Sequence, residues 1–146
     1  MFSQEELKKM LNTLLTLPAE TEIVEFKKAE NSFSDTDLGE YFSALSNEAN
    51  LKNVSIGWLV FGVDNITHKV LGTNYKRSRP LLDEMKKKLA DQTTNRITFD
   101  EIYEVMYDGK RVVMFQIPAA PKGIPIAYKG HYYGRDGGES CGFEFT

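Results

Sequence analysis

From Trp58 to Val63 the chain reads Trp-Leu-Val-Phe-Gly-Val, a nearly continuous apolar run with turn signals on both sides. Successive side chains of a strand point to opposite faces, so a strand of this composition has no face to offer water. The segment must be a central strand covered on both sides. With 146 residues the chain is long enough for one real core and too short for two. Its 41% apolar and 27% charged residues are those of an ordinary soluble globular domain.

Helical periodicity supplies the covering elements. Ser3 and Glu6 have capping-box spacing, and Phe2 and Leu7 that of a hydrophobic staple. Leu7, Met10, Leu11, Leu14 and Leu15 then form one apolar stripe, which Pro18 stops. Ser34 and Asp37 open a second helix from Asp35 to about Asn50, with Leu38, Tyr41, Phe42, Leu45 and Ala49 inward. The stretch Asn47 to Asn53 reads as its exit. Ser78-Arg79-Pro80 starts a third helix with Leu81, Leu82, Met85 and Leu89 inward and its lysines outward.

The strands alternate with these helices. Ile23 to Lys27 alternates, burying Val24 and Phe26 and placing Glu25 beside Lys27 on the open face. Asp64-Asn65 opens a connection to Lys69-Val70-Leu71-Gly72, read as the second arm of a hairpin. Ile102 to Tyr107 and Arg111 to Ile117 flank Asp108-Gly109, the clearest hairpin in the chain. A last short pair, Ile126 to Tyr128 and His131 to Tyr133, turns at Lys129-Gly130. The order predicts an α+β fold with a mixed or antiparallel sheet and about three helices.

Several chemistries find no support. The longest apolar run is far below the ~20 residues that span a bilayer. Acidic Glu5 and Glu6 stand where a secretory signal would carry basic residues. Cys141 is the single cysteine, which excludes an intramolecular disulfide and fits a reducing cytoplasm. His68 and His131 lack ligand spacing with Cys141, so no zinc site is expected. No glycine-rich phosphate loop of the nucleotide-binding kinds occurs, and Gly134-Arg135-Asp136-Gly137-Gly138 reads as a turn exposing Arg135.

Two groups of charges remain. Glu20 and Glu25 beside Lys27 could hold a divalent metal and meet a phosphodiester. Between Lys76 and Lys88 stand six positive residues (Lys76, Arg77, Arg79, Lys86, Lys87, Lys88) against Asp83 and Glu84, on a chain of net charge −3. A focused basic patch on an acidic body can steer a polyanion, because the local field outweighs the sum.

Four fragments then carry a resemblance. Val24-Glu25-Phe26-Lys27, Ser43-Ala44-Leu45-Ser46-Asn47, Leu59-Val60-Phe61-Gly62-Val63-Asp64-Asn65 and Tyr132-Tyr133-Gly134-Arg135-Asp136-Gly137 occur in that order. Together the chain resembles the Schlafen AlbA-type domain. The resemblance implies a DNA-binding α+β domain of bacterial proteins, found at the N-terminus of transcriptional regulators and RecG-related helicases. It divides the chain into an N-terminal helix (1–18), the AlbA-like domain (19–138) and a tail (139–146) that would mark a truncation point, with further C-terminal domains missing. In animal Schlafens a similar domain is linked to RNA cleavage by three metal-binding carboxylates. By motif position these fall on Glu20, Glu25 and Asn65, with Asp64 adjacent. Asn65 departs from the pattern, and so does the longer Asn47 to Asn53 stretch where the family has a glycine pair.

The expected function is therefore nucleic-acid binding, with DNA the favoured polymer, no cofactor and no membrane contact. Lys27, Lys76, Arg77, Arg79, Lys86 and Arg135 would meet phosphates, and Tyr132 and Tyr133 would pack on sugar or base. Since neighbours alternate faces, one of these two tyrosines should be buried. The alternative is a Mg²⁺- or Mn²⁺-dependent nuclease using Glu20, Glu25 and Asp64. A third reading is protein–protein contact or homo-oligomerisation through an exposed strand edge.

Overall fold

The computed structural model describes residues 1–16, 23–135 and 142–144. The helices form where the capping and periodicity place them. Helix α1 spans Gln4–Thr16, α2 Asp35–Leu51 and α3 Arg79–Ala90. The strands are β1 (Val24–Lys27), β2 (Ile56–Phe61), β3 (Glu101–Tyr107), β4 (Lys110–Pro118), β5 (Ala127–Tyr128), β6 (His131–Arg135) and β7 (Gly142–Glu144). Four make a mixed sheet in the order β1-β2-β4-β3, and β5-β6-β7 form a small second sheet. β1 runs parallel to β2, with α2 as the crossover, and the other pairings are antiparallel.

The expectation for the Trp58 to Val63 run is met. Trp58, Val60 and Val63 join one core cluster, Leu59 and Phe61 another. α1 covers the first face, with Leu7, Leu11 and Leu14 buried against Phe26, Trp58, Val112 and Met114. Each fully buried leucine is worth about 1.5–3 kcal/mol, so this helix is integral to the core. Its N-terminus is fixed as the capping box requires: Ser3 N donates to Glu6 Oε1 (2.9 Å) and Glu6 N to Ser3 Oγ (3.2 Å). α2 and α3 cover the other face with Leu38, Phe42, Leu45, Leu82, Met85 and Leu89.

β3 is an edge strand, and two of its carbonyls are occupied by side chains. Arg79 Nη2 donates to Ile102 O and Gln4 Nε2 to Glu104 O, each at 2.9 Å. These bonds block strand addition at that edge.

The structure corrects the sequence reading at several points. Glu25 is not on an open face but 4% exposed, because its side of β1 is the side that α2 covers. Leu81 flanks the buried stripe of α3 and stays 45% exposed. Residues 69–72 form no strand, only the single bridge Val63↔Val70. There Gly62 (φ 101°) and Gly72 (φ 84°) turn the chain away, and the N–H groups of Leu71 and Gly72 both bond to Gly62 O. α2 continues through Asn47 to Leu51, and Asn53 (φ 57°) takes the left-handed position after it that glycine usually fills. Val54 N then closes back onto Ala49 O (3.0 Å). Among the described residues no helix is long and apolar enough to cross a membrane.

Candidate nucleic-acid interface

The C-terminal ends of β1 and β2 and the start of β4 share one end of the sheet. Lys27 O there accepts hydrogen bonds from Gly62 N (2.8 Å) and Val63 N (3.3 Å). Thr73 N donates to Arg111 O (2.8 Å) and Asn74 N to Glu30 O (2.8 Å), so three loops are stitched together. Arg111 is the buried pin of this end. Its guanidinium donates to Thr73 O (3.1 Å), Lys76 O (3.0 Å) and the Glu104 carboxylate (2.9 Å). Sequence reading missed it, since an arginine opening a hairpin arm looks like any solvent-facing strand residue.

Asp64 and Asn65 both lie among the described residues. Asp64 Oδ1 accepts from Ile66 N (2.8 Å) and Thr67 N (2.9 Å), closing its own turn, and the carboxylate faces Lys28 Nζ at 3.4 Å. Those two main-chain bonds, with Lys28 after them, lower its pKa to about 2. Asn65 is an exposed neutral amide, and Glu20 lies outside the described residues. Among the described residues no three His, Cys, Asp or Glu side chains stand close enough to hold a cation. The three-carboxylate site that the resemblance implied includes Glu20 and so lies partly outside the described residues.

The basic residues contiguous in sequence are dispersed in space. Arg79 is engaged by Ile102 O, Glu104 (3.4 Å) and Asp83 (3.6 Å). Lys86 Nζ donates to Asp100 O (3.1 Å), and Lys88 pairs with Asp35 of α2 (3.2 Å). Lys27 Nζ lies 4.8 Å from the Tyr41 ring and Lys76 Nζ 5.6 Å from the Tyr75 ring, both as cation–π contacts. Arg77 is exposed, with its Nε held by Asn74 Oδ1 at 2.8 Å. Tyr132 and Tyr133 are both half-buried, Tyr133 against the core on the α2 side. Arg135 is described by its backbone alone.

The sheet end gathers a different set. Lys27 ends β1 and Lys28 follows it, Lys76 and Arg77 lie on the stitched loop, and Lys110 opens β4. Lys28 and Lys110 were missed, because residues from opposite ends of the sequence carry no joint signal.

The four sequence fragments meet in two pairs. Val24–Lys27 lies in register with Trp58–Phe61, so the first and third fragments are adjacent parallel strands. Asn47 Nδ2 donates to Tyr133 O (3.1 Å), and Tyr133 N to Ser43 Oγ (3.2 Å), which joins the second to the fourth. The family model for Schlafen, AlbA_2 matches residues 20–143. The chain belongs to the Schlafen, AlbA_2 family. α1 precedes the matched residues. No curated protein matches the chain in sequence.

Solved structures share this AlbA_2 fold. The DIP2311 protein of Corynebacterium diphtheriae superposes with a TM-score of 0.58 at 17% identity, covering 93% of this chain. The chain spans only 26% of that protein's chain. The N-terminal domain of a RecG-related protein from Nitrosomonas europaea gives a TM-score of 0.56 at 20% identity. That match covers 89% of this chain and 82% of the solved domain. At these identities the likeness concerns the fold.

Proposed function

We propose that this AlbA_2 domain binds nucleic acid, DNA in the first place, on behalf of a larger cytoplasmic regulatory or helicase-like protein. The observation that carries the reading is the cationic sheet end. There Lys27 and Lys28 stand at the end of β1, Lys110 at the start of β4, and Lys76 and Arg77 on the loop that Arg111 holds. Phosphate contacts of this kind supply affinity with little sequence preference. Family membership agrees, and so does the likeness to an N-terminal domain of a RecG-related protein. Tyr132 and Arg135 are proposed as further contacts.

Binding is favoured over cleavage because the Asp64 carboxylate is committed to its turn and its lysine. The test is fluorescence anisotropy of labelled single-stranded and duplex DNA at several salt concentrations. Affinity should fall steeply with salt; no binding at low salt, or a salt-independent response, would refute the proposal. A parallel incubation with Mg²⁺ or Mn²⁺ should leave DNA and structured RNA intact. Metal-dependent cutting that Glu25→Gln abolishes would reinstate the nuclease reading.

A further inference from the structure

One cleft opens at the cationic end. It holds about 250 Å³ and is lined mainly by Gly72, Asn74, Arg77, Gly109 and Lys110, with buried Arg111 behind them. Gly72 and Gly109 contribute only backbone to its lining. A Cβ built on Gly109 meets nothing within 4 Å, so that side of the turn is open to a ligand.

The two cations flanking it differ in kind. Arg77 is aimed by a chain of amides: Asn31 Oδ1 accepts from Asn74 Nδ2 (3.2 Å), and Asn74 Oδ1 accepts from Arg77 Nε (2.8 Å). With Nε spent on Asn74, both terminal nitrogens of the guanidinium are left to donate. Among the described residues Lys110 has neither an ion pair nor a hydrogen bond from its ammonium. Arg111, 7% exposed behind the cleft, is engaged by Glu104, Thr73 O and Lys76 O and is not assigned as a ligand. It instead fixes the loop that carries Asn74 and Arg77. The acid nearest in sequence is Asp108, exposed in the same turn.

A positioned guanidinium and an unpaired ammonium across a glycine-walled cleft match a tetrahedral oxyanion. We propose that this cleft is a phosphate subsite, with Arg77 and Lys110 as its two ligands and Asn74 as the residue that positions Arg77. The assignment rests on the nucleic-acid reading for its natural occupant, a backbone phosphodiester, but its chemistry is that of any phosphate.

Amide and arginine side-chain NMR of the full chain titrated with inorganic phosphate tests the subsite directly. Shifts should concentrate on Gly72 to Asn74, Gly109 to Arg111 and Arg77 Nε, and vanish in Arg77→Ala/Lys110→Ala. Anisotropy with a labelled oligonucleotide tests the occupant. Each single variant should weaken binding about 3- to 10-fold and lower the salt slope by about one phosphate contact. Lys122→Ala should leave binding unchanged, since it lies past the far end of β4, roughly 26 Å away along the strand. Asn74→Ala should weaken binding only where Arg77 is present. Phosphate shifts that persist in the double variant, or spread evenly over all surface cations, overturn the subsite. DNA binding by the parent that the double variant retains also overturns it and leaves the wider reading intact. Localised phosphate shifts without DNA binding do the reverse.

Discussion

Asn47 and Ile126 bond each other twice, like facing residues of two strands. Asn47 Nδ2 donates to Ile126 O (3.0 Å), and Ile126 N donates to Asn47 Oδ1 (2.7 Å). Ser43 Oγ adds a third bond to Ile126 O (2.7 Å), and Ser46 Oγ one to Pro118 O (2.8 Å). A polar stripe on buried α2 thus replaces the strand partner that the segment entering β5 lacks. The Ser43 to Asn47 fragment is therefore a clamp, built from the inward face of a helix.

Asn47→Ala should destabilise the fold by about 2–4 kcal/mol, because it strands the buried Ile126 N–H as well as deleting bonds. Urea denaturation gives the total. Hydrogen exchange should show Ile126 losing protection before the β2–β4 pairs; equal loss everywhere would mean that the clamp is not local.

Gly39 sits on α2 where the Tyr128 ring lies. A Cβ there would stand 2.1 Å from Tyr128 Cζ. Alanine normally favours a helix over glycine by about 1 kcal/mol, yet here overpacking should dominate and cost about 1–3 kcal/mol. In a Tyr128→Ala background the same substitution should become neutral or stabilising. An additive double-mutant cycle would contradict this contact.

Tyr75 is 2% exposed, and its hydroxyl finds no hydrogen-bond partner among the described residues. Burial, with Asp35 adding to it, raises its pKa above the ordinary tyrosine range. Tyr75→Phe should therefore be neutral or stabilise by about 1 kcal/mol, since it removes an unsatisfied polar atom and keeps the ring against Phe61 and Phe115. Thermal melts decide the sign; a loss above about 1 kcal/mol would mean that the hydroxyl has a partner. In an alkaline absorbance titration one tyrosine should ionise only on unfolding.

Asp64 has its pKa lowered to about 2 by its turn bonds and Lys28. A depressed carboxylate contributes stability that is present above its unfolded value and is lost as pH falls through the folded one. The contribution should thus be full above about pH 4 and decay toward pH 2. Asp64→Asn should lower stability by a constant amount above about pH 4 and flatten the acid limb, so that the gap between parent and variant closes toward pH 2. Carbon-detected NMR of the Asp64 carboxyl measures the value directly.

Periodicity in the sequence determined the two-faced central strand, the three helices and the Asp108-Gly109 hairpin. These depend on near neighbours, whose spacing repeats the geometry of the element itself. The four family fragments were legible for the same reason, each being one local element.

What the tertiary structure decided was which faces are covered and which charges meet. Alternation along β1 says that Glu25 and Lys27 share a side, but only the packing of α2 makes that side interior. Six cations between Lys76 and Lys88 look like one patch in the sequence. A helix turns by about 100° per residue, so α3 sends Arg79 to β3 and Lys88 to α2. Arg77 and Lys110, thirty-three positions apart, become neighbours because Arg111 draws the loop after Gly72 onto the start of β4. Contacts of that range are chosen by the closure of the whole sheet, and no local pattern encodes them.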